Sequence, residues 1–381
     1  MAGGQTDADT MQRLDTPLHR VDAVRARLLA GVAPVAPSDA LVVEAIGAVA
    51  ARDACAPAGL PATDCALVDG YPLASAELIG ASPMSPAMLM EAPRLVQVGD
   101  PLPRGTDCVV DAGFVSIGAF TEITAPAAPG DGVRRAGGDF RQGEAILRSG
   151  ERLDLLRAHT LLAAGVLTIS VLRPVVRVLA VGGVGVTAGL VAALARDAGA
   201  DVRLAAAPRD RDGLAGSLAG VDGDAVILVG GTGCGVDDRT VLALRHAGAD
   251  VAHGLALEPG RTGAVGRLDG RPVIATPGRP EAAFAIWLAL GAPLMSALLG
   301  IPVHSLAAER PLTRKVASTV GLAQIAPLEA TAEGWRPLAV GDMSLAHLAR
   351  ADGFLLVPED SEGRPEGALV RPVPAPGRWR V

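Results

Sequence analysis

The stretch DAVILVGGTGCGVDD, residues 224–238, decides the fold. Ala225 to Val229 is a short, unbroken apolar run bounded by turn-forming residues, the pattern of a strand buried on both faces. It empties into GGTGCG, Gly230 to Gly235, and then into Asp237 and Asp238 just ahead of a helical pattern. Glycines at a strand end leave backbone N–H groups free to converge on an anion, and a following helix start favours negative charge there. Phosphate binding is the chemistry this loop suggests. Either aspartate could instead cap the helix, and one of them is expected to do so.

Working outward, the same texture repeats on both sides. VVRVLAV (175–181), DVRLAAAP (201–208) and DAVILVGG (224–231) read as strands, while TAGLVAALARDAGA (187–200), RDGLAGSLAG (211–220) and RTVLALRHAG (239–248) read as helices. Strands alternating with helices of this length predict a parallel sheet covered on both faces, in which ligands bind beyond the carboxyl ends of the strands. Two other loops therefore matter. GGVGVTAG (182–189) has glycine spacing near that of a dinucleotide fingerprint, but Asp201, the acid about 20 residues on, opens the second strand instead of closing it. Steric need in a close βα turn is the simpler account, and a nicotinamide-dependent oxidoreductase is a distant third reading. The PGRP turn, Pro277 to Pro280, closes another strand and starts a helix with Glu281 in its first turn.

Elsewhere the pattern is less regular. LHRVDAVRARLLAGV (18–32) and ALVVEAIGAVAARD (40–53) have helical apolar spacing, and DLLRAHTLLAAG (154–165) reads as a helix begun by Asp154 and ended by Gly165. Short apolar runs separated by Pro and Gly predict a small β module from Ala56 to Gly130 and another after Pro302. The expected organisation is an α/β multidomain chain. Residues 1–55 with 139–173 form a discontinuous helical and β region, 56–138 an inserted β module, 174–301 the central α/β domain, and 302–381 a small β domain.

Composition narrows the function classes. The chain of 381 residues is 50% hydrophobic but only 2% aromatic, so its cores must be packed from Ala, Val and Leu. Net charge is −7, only Lys315 among 34 basic residues is a lysine, and there is no basic run, which argues against nucleic acid as a partner. Cys55, Cys65, Cys108 and Cys234 have no metal-knuckle or redox-dithiol spacing and read as reduced thiols. The first 15 residues carry three acids and no apolar core, so no secretory signal is expected and the location is expected to be cytoplasmic. Ala282 to Ala308 lacks charged residues, yet Gly291, Pro293, Gly300 and Pro302 are expected to break it into a buried helix, a second short helix and a connector, with no membrane span.

Taken in order, six segments resemble the molybdopterin molybdenumtransferases, the MoeA and gephyrin E-domain family. They are LPATDCALVDGYPL (60–73), VGDPLPRGTDCVV (98–110), VRRAGGDFRQGEAILRSGERL (133–153), GGTGCGVDD (230–238), EPGRTGAVGRLDGRPVIATPGRP (258–280) and GDMSLAHLARADGFLLVP (341–358). The resemblance covers nearly the whole chain. It implies a MogA/MoaB-like central domain, a homodimer, and a reaction in which adenylated molybdopterin is cleaved and molybdate is placed on the pterin dithiolene, assisted by Mg2+ or another divalent cation. A molybdoenzyme or its chaperone is an implied partner. Asp69, Asp139, Asp210 and Asp238 match family acids and are the implied catalytic residues, with Asp69 and Asp238 as metal ligands. Gly230, Gly231, Thr232, Gly233, Gly235, Arg261, Pro277, Gly278, Arg279 and Pro280 are the implied substrate contacts. The only tyrosine, Tyr71, follows Asp69-Gly70 in what would be a site turn.

The departures from the family pattern are specific. Val98 stands where the family has Thr, Val186 where it has Glu, Arg279 for Asn and Asp342 for Ser. Arg261 replaces a lysine and keeps its charge, whereas Glu258 replaces a second lysine and reverses it. Two readings follow: an active transferase with a remodelled site, or a silent paralogue that binds molybdopterin or a client enzyme.

Overall fold

The computed structural model describes residues 11–91, 93–301 and 307–377. Expectations that fall on residues 1–10 and on Pro302 lie outside these. The chain forms two compact units, one of residues up to 38, 47–49 and 171 onward, the other of 39–46 and 50–170.

The first unit is built on six strands: β1 (Val175–Val181), β2 (Asp201–Ala207), β3 (Ala225–Val229), β4 (Asp250–His253), β5 (Ala264–Leu268) and β6 (Arg271–Thr276). Their order is β2-β1-β3-β6-β5-β4. The first four run parallel, and β5 and β4 continue antiparallel. Alternate side chains feed two cores. Val176, Val178, Ile227 and Ile274 pack against helices α1 (Val186–Asp197) and Pro280–Leu299, while Leu179, Val226, Leu228 and Val273 pack against α2 (Arg211–Leu218) and α3 (Thr240–His246). Strand order reverses between β1 and β3, so the loops that follow them diverge and open a crevice.

A smaller sheet of Leu257–Glu258, Ala323–Ala330, Gly353–Val357 and Val373–Pro374, with Trp335–Pro337 beside its longest strand, completes this unit. Fully buried Trp335 centres its core, and its indole N–H donates to the Ala308 carbonyl at 3.2 Å. The second unit is a set of short antiparallel pairings, among them Gly70–Leu73 with Cys108–Asp111 and Val133–Arg134 with Cys65–Ala66. Its helix Leu155–Ala163 is capped by Asp154, which accepts from the Arg157 N–H at 2.8 Å.

Three expectations are corrected. Residues 40–53 are not a helix, since Ser38–Leu41 and Val49–Ala50 are strands joined by turns. The helical spacing is real for one turn, with Val42 and Ala45 buried, but Gly47 then adopts a left-handed φ of 87° and the backbone turns away. Gly291 and Pro293 do not break the apolar segment either: Pro280–Leu299 is one continuous 20-residue helix. A π turn at Trp287–Gly291 lets the Ala292 N–H reach the Trp287 carbonyl, and this widened turn accommodates the proline ring that a regular α-helix would exclude. This helix is long and apolar enough to cross a membrane, but 72% of its most apolar 18-residue stretch is buried inside the fold, as expected of a core helix. Finally, neither Asp237 nor Asp238 caps α3, whose N-cap is Arg239.

Candidate functional site

The crevice at the carboxyl ends of the strands is a cleft of about 420 Å³. It is lined by the loop after β1 with the start of α1, by Arg209 after β2, by Gly230, Gly231, Asp237 and Asp238 after β3, and by Gly278 after β6. Four loops that are distant in sequence thus converge where the alternation of strands and helices places them.

The β3 loop is held from behind. The Gly230 carbonyl accepts from the Thr240 hydroxyl at 2.7 Å, and the Gly231 carbonyl accepts from the Gln12 carboxamide at 2.8 Å and from the Thr240 N–H at 3.0 Å. The Gly233 carbonyl also accepts from Gln12, and the Thr232 carbonyl lies 2.9 Å from Nε2 of His253. Four successive carbonyls are therefore engaged by protein. Among the described residues the N–H groups of Gly231, Thr232, Gly233 and Cys234 have no protein acceptor. A row of unpaired donors between engaged carbonyls is the arrangement that binds an anion. Gly231 needs its left-handed φ of 68° here, and a Cβ on it would lie 2.6 Å from the Thr240 hydroxyl.

Two charged groups flank these donors. Arg209 lies over Gly182, where a Cβ would come within 2.1 Å of its Nε, and it has no hydrogen bond or ion pair among the described residues. An unpaired guanidinium beside free amides adds the countercharge for a phosphate. Asp238 accepts from the Gly235 N–H at 2.9 Å, which closes the loop and leaves its other carboxylate oxygen uncommitted. Asp237 lines the same cleft.

Among the expected site residues, the structure brings Gly230, Gly231, Asp238 and Gly278 to this cleft, and Thr232, Gly233 and Gly235 lie in its β3 loop. Asp210 follows Arg209 and caps α2, accepting from the Gly213 N–H at 2.7 Å. Pro280 is the first residue of its helix, two positions past Gly278 and three past Pro277. Arg279 points its guanidinium to Glu281 at 2.6 Å, and Arg261 donates to Glu258 at 3.2 Å, with neither among the cleft-lining residues. Asp69 and Asp139 belong to the second unit. Asp69 accepts from the Val98 N–H at 2.8 Å, and Asp139 pairs with Arg134 at 3.2 Å. The two apolar departures are solvent-facing, Val98 at 62% and Val186 at 84% exposure, so neither was recruited to a core.

Sequence reading missed Gln12, His253 and Arg209. Gln12 lies more than 200 residues from its acceptors, and no local signal marks it. Arg209 could have been found, because it falls in the loop after the second predicted strand.

A mixed sheet whose parallel strands open a crevice at their switch point defines an α/β protein with a cleft at its strand ends, and comparison with known proteins assigns the family. Residues 19–165 match the "MoeA N-terminal region (domain I and II)" and residues 184–297 the "Probable molybdopterin binding domain". Molybdopterin molybdenumtransferase 2 of Mycobacterium tuberculosis is 27% identical over 372 residues, covering 83% of this chain and 90% of that one. A Methanocaldococcus jannaschii protein named for molybdopterin biosynthesis is 24% identical over 364 residues, covering 86% of this chain and 90% of its own. The crystal structure of a molybdopterin biosynthesis MoeA protein from Pyrococcus horikoshii superposes with a TM-score of 0.68 at 24% identity, covering 95% of this chain and all of that one. The chain belongs to the MoeA family and to molybdenum cofactor biosynthesis.

Proposed function

We propose that the protein is an active molybdopterin molybdenumtransferase, which cleaves adenylated molybdopterin and inserts molybdate into the pterin dithiolene. The observation that carries this reading is the cleft shared by Gly231, first in the row of unpaired amides that runs to Cys234, and by Arg209, which has no partner among the described residues. In the reaction, the amides and Arg209 bind the phosphates of the adenylated substrate and stabilise the charge that grows on phosphate oxygen as the anhydride opens. Excess charge on an oxyanion strengthens such contacts toward the transition state, and it is then that they accelerate cleavage.

The donor set fits a divalent cation shared with substrate. No cluster of three or more His, Cys, Asp or Glu suited to a metal occurs among the described residues, which argues against an all-protein cage. Mg2+ is commonly held by one or two carboxylates with phosphate oxygens and water, and Asp238, with Asp237 beside it, can supply the protein part. When bound, Mg2+ would neutralise charge on the phosphates. Catalytic parts for Asp69, Asp139 and Asp210, metal ligation by Asp69, and substrate contacts from Arg261, Arg279, Pro277 and Pro280 are proposed on the family resemblance. So are the four-part domain division, the homodimer, the cytoplasmic location and service to a molybdoenzyme or its chaperone. Complementation of a strain lacking its own molybdenumtransferase is the test. Failure of the expressed, folded protein to restore molybdoenzyme activity would remove the catalytic reading.

A further inference from the structure

We propose that Gln12 and His253 are positioning residues that turn the Gly231–Gly233 carbonyls away from the cleft, so that the N-terminal segment, and not the loop alone, sets the geometry of the phosphate-binding amides. This rests on the phosphate reading of the cleft given above.

A flexible glycine loop samples conformations in which its carbonyls, not its amides, point at a ligand, and carbonyls repel phosphate. Here that alternative is blocked. Gln12 is 1% exposed and uses both the amide and the oxygen of its side chain on this corner of the fold. Its amide donates to the Gly231 and Gly233 carbonyls, and its carbonyl accepts from the Val241 N–H of α3 at 3.0 Å. His253, fully buried on β4, fills the gap between the two Gln12 contacts with Nε2 at 2.9 Å from the Thr232 carbonyl, while Nδ1 lies 2.9 Å from the Arg13 carbonyl. An imidazole with one N–H donates to only one of these two carbonyls, so it is the tautomer protonated on Nε2 that holds the Thr232 carbonyl. Asp15 fastens the same segment to β4, accepting from the His253 N–H at 2.8 Å and returning its own N–H to the His253 carbonyl at 2.8 Å. Three consecutive loop carbonyls are thus engaged by two buried side chains, one of which comes from far away in sequence.

Gln12→Glu tests this with little change of volume. The carboxylate keeps an acceptor for Val241 but presents oxygen to two carbonyls. AMP, the fragment that carries the adenylate phosphate, is the probe. Calorimetric titration is expected to show AMP binding about tenfold or more weaker than wild type. Hydrogen exchange should be faster across residues 231–238, with the melting transition still cooperative. Lowering the pH should restore part of the loss, because the carboxyl introduced at this position regains one donor when it is protonated. Wild type measured at each pH corrects for Asp15, His19, Asp237, Asp238, Arg245 and His253, the titratable or charged groups nearby. A Gln12 that only packs the N-terminal segment would lower the melting temperature and leave AMP affinity unchanged. Should Gln12→Glu fail to fold, Gln12→Met and His253→Phe carry the same two measurements. AMP affinity and loop exchange both equal to wild type would overturn the proposal. Faster loop exchange in the variant, with no AMP binding by wild type, would leave the positioning role standing and remove the phosphate reading instead.

Discussion

The Glu258 carboxylate accepts a hydrogen bond from the Arg261 guanidinium at 3.2 Å. The charge reversal seen in the sequence is therefore answered three residues later, and the pair lies apart from the residues that line the Gly-rich cleft. Both side chains are partly solvent-exposed, so their mutual attraction contributes little to stability. Glu258→Gln removes one negative charge from the unit that holds the proposed anion site. AMP binding should tighten by less than about threefold at low ionic strength, and the gain should vanish at high salt, where charges beyond about a Debye length are screened. Titrations at two salt concentrations check this. A tenfold gain would instead place Glu258 in direct opposition to the phosphate.

Arg209→Ala should weaken AMP binding by about tenfold, the rough worth of a partly exposed charge-assisted hydrogen bond. Thermal stability should barely move, because the guanidinium engages no protein acceptor among the described residues. Gly182→Ala offers an independent route to the same loss, since its Cβ would occupy the space of the Arg209 side chain. Gly182 has a φ of 82°, so this second variant should also lose some stability. Equal AMP affinity in wild type and Arg209→Ala would remove Arg209 from the site.

How much of this was legible in the sequence depends on the range of the interactions involved. The β3 run Ala225–Val229 and its glycine loop could be read because burial on both faces and a glycine run at a strand end leave local signatures. The helix expected over 40–53 failed because one amphipathic turn, Val42 with Ala45, looks like the start of a longer one until Gly47 changes hand. The break expected at Pro293 failed for a different reason, since the cost of a mid-helix proline can be absorbed by a π turn that no single residue announces. Gln12 was invisible because its meaning lies wholly in carbonyls more than 200 residues away.

Asp238→Asn should separate the loop-closing role of this side chain from a metal-binding one. The amide oxygen of Asn can still accept from the Gly235 N–H, now 2.9 Å from Asp238, so the melting temperature should stay within a few degrees of wild type. Loss of the charge should abolish any strengthening of AMP binding by Mg2+. Asp238→Ala should lose both the bond and the metal effect. Mg2+ titrations in the presence of AMP, alongside thermal melts of the two variants, distinguish the roles. An unchanged Mg2+ effect in Asp238→Asn would assign Asp238 to loop structure alone.

The thiols should report ligand binding. Cys234 is exposed in the middle of the anion loop, whereas Cys108 is buried, with burial pushing its pKa up to about 11. Thiolate is the reactive form, so Cys108 should label only on unfolding. Brief treatment with iodoacetamide at neutral pH should modify Cys234 first, and saturating AMP should slow that reaction severalfold. Peptide mapping checks the order. Protection of Cys55 or Cys65 with Cys234 unaffected would move the ligand away from this loop.

Asp15 gives the N-terminal segment a pH dependence whose sign can be worked out. Burial raises its pKa, but the His253 N–H, the hydrogen bond from His19 and the charges of Arg245 and His19 outweigh that, so the net value falls below that of a free aspartate. A carboxyl with a lowered folded-state pKa contributes stability that is present above the unfolded value, about 3.9, and is lost as pH falls through the folded one. Asp15→Asn should therefore be less stable than wild type at pH 7, and the difference should close on acidification below about pH 4 as wild type loses the same charge. Because Asp15 holds β4 beside His253, the variant should also show faster hydrogen exchange at 231–238 at neutral pH. Urea unfolding of both proteins at pH 7 and near pH 3 measures the first effect. A stability difference that stays constant across this range would mean that the contribution of Asp15 is steric, and the link from its charge to the anion loop would be lost with it.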